Sequence, residues 1–164
     1  MARTESDFLG LEVISLEDSS VVGEVDGLLV DVRCNTVAGL VLNAGIYEAN
    51  VVAYADLRGV EDDAVFVDSR SVVHPLSQHP LLAEIADRDI RVVGQVVLDD
   101  RGDVAGVVRG YSIDPIDGAL VSLEVAPEDA KGAKGYVLAM DDVIRIGGEL
   151  IVVRRTRHSG EVDA

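Results

Sequence analysis

Val21 to Leu42, VVGEVDGLLVDVRCNTVAGLVL, consists of two apolar runs joined by a short polar turn. Val and Leu dominate both runs, which favours strands over helices. Gly23 and Gly27 interrupt the first run, and isolated glycines inside a strand mark bulges or tight bends. Arg33 to Thr36 turns the chain, with Asn35 suited to a positive φ, and Val37 to Leu42 returns as the hairpin partner.

Upstream, Leu11 to Ser15 reads as a further strand and Glu17 to Ser20 as turn chemistry. Downstream, Asn50–Ala53, Arg58–Val60 and Ala64–Val67 read as short strands, with one helical turn from Tyr54 to Leu57 between the first two. Asp68 to Pro80 carries two His-Pro pairs and reads as a linker over residues 69–80.

A second copy of this grammar follows. At an offset of 71, Leu11, Ile14, Asp18, Val21, Val22, Gly23 and Val25 meet Leu82, Ile85, Asp89, Val92, Val93, Gly94 and Val96. After a four-residue shortening Val37-Ala38-Gly39 meets Val104-Ala105-Gly106 and Asn35 meets Gly102, and at an offset of 86 Asp56 meets Asp142 and Val65 and Val67 meet Ile151 and Val153. The order is kept through three blocks, the mark of an internal duplication. Leu81, Leu82, Ile85 and Ala86 also fit a helical period, and this alignment favours a strand there. It also makes residues 109–136 about nineteen residues longer than their counterpart in the first copy, read as an insertion forming an extra hairpin with a strand at Ala119–Val125 and a loop at Asp129–Gly135. The expected fold is all-β: two tandem small barrels over residues 8–68 and 81–155, with a polar tail at 156–164.

Composition bounds the chemistry. The chain has 164 residues, a formal net charge of -16, 4% aromatic residues and no Trp. That charge repels phosphate backbones and disfavours direct nucleic-acid binding. Lysine occurs only at Lys131 and Lys134. This acid-rich, lysine-poor balance suits a salt-loving cytoplasm; an Arg-biased genome with ordinary acidity would give the same balance. Cys34 is the sole cysteine, so an internal disulfide is impossible. No run reaches the roughly 18 apolar residues of a membrane helix, and the polar start lacks a signal-peptide core. The expected location is cytoplasmic.

Candidate sites are sparse. Asp31, Asp99 and Asp100 stand at strand ends where carboxylates either hold a divalent cation or cap turns. Glu61 to Asp63 and the pair Asp141 and Asp142 carry the same two readings, and turn caps or a solvated face are the expectation for all of them. His74 and His79 lie five apart without a third ligand nearby, and read as linker residues rather than a metal site. Cys34 sits at a turn tip beside Arg33. Lys131 to Gly135 lacks the hydroxyl residue and glycine spacing of a phosphate loop. Arg154, Arg155 and Arg157 form the basic cluster, read as a solvated tail. No catalytic triad or dinucleotide fingerprint is present, so neither a catalytic site nor a cofactor nor a metal is expected.

At Val22-Gly23-Glu24-Val25, Leu28 to Asp31, Val37 to Leu42 and Asp56 to Val67, and again at VVGQVVLDDRGDVAGVV, the sequence resembles the PRC-barrel family. That family is named after the cytoplasmic domain of the photosynthetic reaction-centre H subunit and includes the C-terminal domain of a ribosome maturation factor. The resemblance implies a small, strongly bent β-barrel used as an adaptor, often self-associating, with no shared catalytic residues. It leads to a non-enzymatic scaffold for a protein partner, in a cell-division or membrane-associated assembly, with apolar side chains exposed on one face. The alternative is ribosome maturation or RNA metabolism, acting through a basic ribosomal protein.

Overall fold

The computed structural model describes residues 2–43, 48–127 and 135–154. The chain divides into two compact units, Met1–Asp89 with Ile113–Leu120, and Ile90–Ser112 with Val121–Ala164. Both are mostly β, each built on a curled half-barrel sheet, in line with the expected all-β class.

In chain order the first unit holds β1 (Arg3–Thr4), α1 (Glu5–Phe8), β2 (Glu12–Ser15), β3 (Ser20–Asp31), β4 (Thr36–Leu42), β5 (Asn50–Ala53), β6 (Leu57–Val60), β7 (Ala64–Val67), β8 (Val73–Pro75) and α2 (Pro80–Arg88). A 3-10 turn at Tyr54–Asp56 joins β5 to β6, as the sequence predicts. The strands order as β6-β7-β2-β3-β4-β5-β8. The pairing of β3 with β4 slips between Val25 and Gly27 and again between Leu29 and Val30, so the sheet bends where glycine removes the side chain. Asn35 turns the chain at φ 55. Val13, Val25, Leu40, Val52 and Val65 are fully or almost fully buried on the inner face.

Residues 69–80 are not a free connection. They carry β8, which pairs antiparallel with β5, and two 3-10 turns. The segment after them, expected as a strand, is the helix α2, and the local chemistry explains why. His79 is the N-cap and its Nδ1 accepts from the Leu82 amide at 3.4 Å, Pro80 stands where its missing N–H costs nothing, and Asp89 closes the helix at φ 48. Arg88 pairs with Glu84 one turn back at 3.2 Å. The apolar stripe of Leu82 and Ile85 is buried against Leu29, Ala38, Val41, Val51 and Ala53. Gly39 makes this approach feasible, because a Cβ there would lie 2.8 Å from both Leu82 Cδ1 and the Val52 carbonyl.

The second unit's sheet orders as β12-β11-β10-β9-β14-β13, from β9 (Val96–Asp99), β10 (Val104–Ile113), β11 (Leu120–Ala126), β12 (Tyr136–Ala139), β13 (Val143–Ile146) and β14 (Leu150–Val153). A 3-10 turn at Met140–Asp142 joins β12 to β13. The order and the pairings repeat those of β2 to β7. Val13 opposes Gly23 and Ile14 opposes Val21; likewise Val97 opposes Gly106 and Leu98 opposes Val104, each with a slip at the same place. The parallel pair Val13 and Val65 returns as Val97 and Ile151.

The repeat in strand order and pairing therefore runs at offsets of 83 to 86, and the expected offset of 71, with its match of Val37 to Gly39 on Val104 to Gly106, does not describe it. At 83, VVGEVDGLLVD overlies VAGVVRGYSID, matching Val21, Gly23, Val25, Gly27 and Asp31 to Val104, Gly106, Val108, Gly110 and Asp114. In this register Arg109 to Ala126 is not an insertion but the equivalent of Asp26 to Asn43, the β3–β4 hairpin. Helix α2, which the offset of 71 matches to β2, has no counterpart in this register among the described residues of the second unit. The expected loop at Asp129–Gly135 lies outside the described residues except for Gly135, as does the tail beyond Arg154.

Candidate functional site

Of the expected acidic sites, Asp31 and Asp99 act as turn caps. Asp31 Oδ1 accepts from the Arg33 amide at 3.0 Å and from its guanidinium at 3.1 Å. These bonds hold the Asp31 carboxyl below the usual carboxylate range. Its topological equivalent is Asp114, whose Oδ1 accepts from the Ile116 amide at 2.9 Å. Asp99 Oδ1 accepts from the Arg101 and Asp103 amides at 2.9 and 3.0 Å, while Asp100 is exposed in that turn. Glu61 to Asp63 form the exposed β6–β7 turn, where Asp62 pairs with Arg3 at 2.9 Å. Asp141 and Asp142 lie in the 3-10 turn before β13, and Arg154 reaches Asp142 at 3.7 Å. Among the described residues no three His, Cys, Asp or Glu side chains are grouped to hold a metal ion.

The remaining candidates also stand in structural positions. His74 lies in β8, and His79 caps α2, with ring centroids 6.1 Å apart. Cys34 is exposed at the β3–β4 turn, its Sγ 3.4 Å from Thr36 Oγ1. Lys131, Lys134, Arg155 and Arg157 lie outside the described residues.

Sequence reasoning missed the contrast between the two sheets. In the first unit, β8 extends the sheet beyond β5, and α2 covers the outer face of β3, β4 and β5, leaving Val51 fully buried. The equivalents in the second unit of Leu29, Ala38, Gly39, Val41, Val51 and Ala53 are Ser112, Val121, Ser122, Glu124, Val137 and Ala139. Val137 is 64% exposed and Val121 44% exposed. Ser122 stands where the first unit requires glycine, and its hydroxyl meets that of Ser112 at 2.5 Å. Among the described residues no strand lies beyond β12 and no helix covers this face. The substitutions fit that exposure: three polar side chains replace residues that α2 packs against in the first unit.

One further arrangement belongs to the first unit. Thr36 bridges Ala119, the Val37 amide donates to the Gly118 carbonyl at 2.8 Å, and the Leu120 amide donates to the Asn35 carbonyl at 2.9 Å. Each of these residues meets its own equivalent or a neighbour of it, so adding or subtracting 83 turns one hydrogen bond into the other. Tyr54 closes the contact: its hydroxyl donates to the Pro115 carbonyl at 2.8 Å. Burial, with the charges of Asp114 and Asp117, pushes its pKa up to about 12.

No family model matches this sequence, and no curated protein is similar to it.

Proposed function

We propose that this chain is a non-enzymatic adaptor of PRC-barrel type, in which two copies of one small β-fold are held in tandem and the second copy carries the protein-binding surface. The observation that supports this reading is the contrast between equivalent faces. In the first unit α2 and β8 close the outer face and the edge, and Val51 is fully buried; in the second, Val121 and Val137 are exposed, Val137 opposite Glu124. An apolar side chain left exposed where its equivalent is covered, with a carboxylate across from it, fits a surface that a partner covers. The first copy spans 8–68 with 69–89 as its cover, and the second follows the register set by β9 to β14.

The test is affinity capture from the cells that express the protein, at their native salt, with the wild type and a Val121→Asp, Val137→Asp double variant whose fold is checked by circular dichroism. The adaptor reading expects a defined protein partner with the wild type and its loss with the variant. Wild-type bait that retains no protein overturns the adaptor reading; a partner kept by both baits overturns this choice of surface. Ribosomal proteins on the wild-type bait alone would place the adaptor in ribosome maturation.

A further inference from the structure

The first unit contains a template for what the second sheet can take. In β8, His74 lies opposite Val51, Val73 opposite Val52 and Pro75 opposite Asn50. The Leu76 amide donates to the Ala49 carbonyl at 3.0 Å. Backbone groups alternate sides along a strand, so Val51 and Ala53, like Ala49, present their N–H and C=O to β8, whereas Asn50 and Val52 face β4. Pro75, which has no N–H, falls opposite Asn50, where none is required.

β12 repeats this geometry, and among the described residues no strand is added beyond it. Val137 opposes Glu124 as Val51 opposes Val41, and Leu138 opposes Leu123 as Val52 opposes Leu40. By the same alternation Val137 and Ala139 direct their backbone groups outward, at the end of the sheet. An edge strand whose N–H and C=O groups point outward is a template for pairing with another extended chain.

Electrostatics decides which chain. Across the first sheet the row of side chains runs Val41, Val51, His74. Across the second it runs Glu124, Val137, and then the residue an added strand would place opposite Val137. A long basic side chain there passes over Val137 and reaches the Glu124 carboxylate, with its stem lying on the valine. The chain's net charge of -16 draws a basic segment toward it and opposes a second copy of itself pairing edge to edge.

We infer that β12 binds an extended segment of a partner protein by antiparallel strand addition, with an Arg or Lys of that segment opposite Val137 and paired with Glu124. This rests on the adaptor reading and specifies its partner chemistry.

The probes are synthetic peptides with the sequence of residues 71–76, SVVHPL, and its His74→Arg and His74→Glu forms, titrated into the full-length 15N-labelled protein at low salt. Strand addition without further contacts is weak, so dissociation constants near about 1 mM are expected. The inference expects amide shifts centred on Val137 and Ala139, about fivefold or more tighter binding of the Arg form than of the Glu form, and loss of that preference in Glu124→Gln. Val137→Pro, which removes the outward N–H at an edge position that tolerates proline, abolishes binding while the remaining amide spectrum is kept. Shifts confined to β5, equal binding of the Arg and Glu forms, the absence of any shift, or concentration-dependent shifts of β12 without peptide would each overturn it; the last would assign the edge to self-association. A partner captured by the wild type and retained by Val137→Pro would leave the adaptor reading standing and remove the strand-addition site.

Discussion

Replacing Gly39 with alanine adds one methyl group at the place where α2 meets the sheet. That carbon would lie 2.8 Å from Leu82 Cδ1, 3.0 Å from Leu82 Cδ2 and 2.8 Å from the Val52 carbonyl. Leucine can rotate, but a carbonyl held between β4 and β5 cannot retreat without loosening the ladder. Overpacking of this kind costs about 1 to 3 kcal/mol. If α2 detaches instead, Leu82 and Ile85 lose their burial, at roughly 1.5 to 3 kcal/mol each. The expected destabilisation is therefore about 1 to 3 kcal/mol, since relief by overpacking is the cheaper route. Urea unfolding followed at the first unit's amides measures it, and hydrogen exchange across Pro80–Arg88 reports whether the helix has loosened. Ser122→Ala is the companion, because that position already carries a Cβ and loses only a hydroxyl contact worth about 1 kcal/mol. Gly39→Ala within about 0.5 kcal/mol of the wild type, the usual range for an uninvolved surface site, would refute the account of how α2 covers this sheet.

Two positive-φ glycines separate strain from packing: at Gly102, φ 87, an added Cβ would meet no atom within 4 Å, whereas at Gly118, φ 79, it would lie 2.9 Å from the Val37 carbonyl and 3.1 Å from the Tyr54 ring. Alanine at either costs about 1 to 2 kcal/mol of backbone strain, and Gly118→Ala should cost at least about 1 kcal/mol more; equal costs in urea unfolding would contradict the docking of that turn. The Tyr54 pKa of about 12 lies above its unfolded value, so the neutral phenol's stabilisation is complete below about pH 10 and is lost as the pH rises through about 12. Tyr54→Phe should flatten the fall in stability across that window, and an unchanged alkaline profile would refute the assignment. Asp31 is shifted the other way, so its contribution is present above the unfolded carboxylate pKa and disappears as the pH falls through the folded one. In Arg33→Ala its carboxyl resonance should titrate at higher pH than in the wild type; no change would show that Arg33 is not the cause.

Most strands of the first unit could be read from the sequence because Val-rich runs are separated there by turn residues and by glycines placed at the bends. Asn35 could be recognised as a positive-φ turn for the same reason. The register of the duplication could not, although VVGEVDGLLVD and VAGVVRGYSID share it. Leu82, Ile85, Val92, Val93 and Gly94 imitate the spacing of β2 and the start of β3, while in fact an amphipathic helix and a loop produce that spacing. His79, Pro80 and Asp89 are the local signals that favour the helix: an N-terminal cap, proline at the first turn, and a residue able to take φ 48 at the end. The candidate surface was hidden for a different reason. A valine in a short strand has the same sequence appearance whether a helix and a further strand cover it, as at Val51, or it is exposed, as at Val137.

The most direct measurement is amide hydrogen exchange at these two valines in the isolated protein. Val51 directs its N–H to β8, so its exchange should be slowed by orders of magnitude, with opening governed by the stability of the first sheet. Val137, its equivalent at the uncovered edge, should exchange at close to the rate of an unprotected amide. Equal protection at the two positions would contradict the claim that the second sheet keeps an open edge, and with it the reading of that edge as the place where a partner joins.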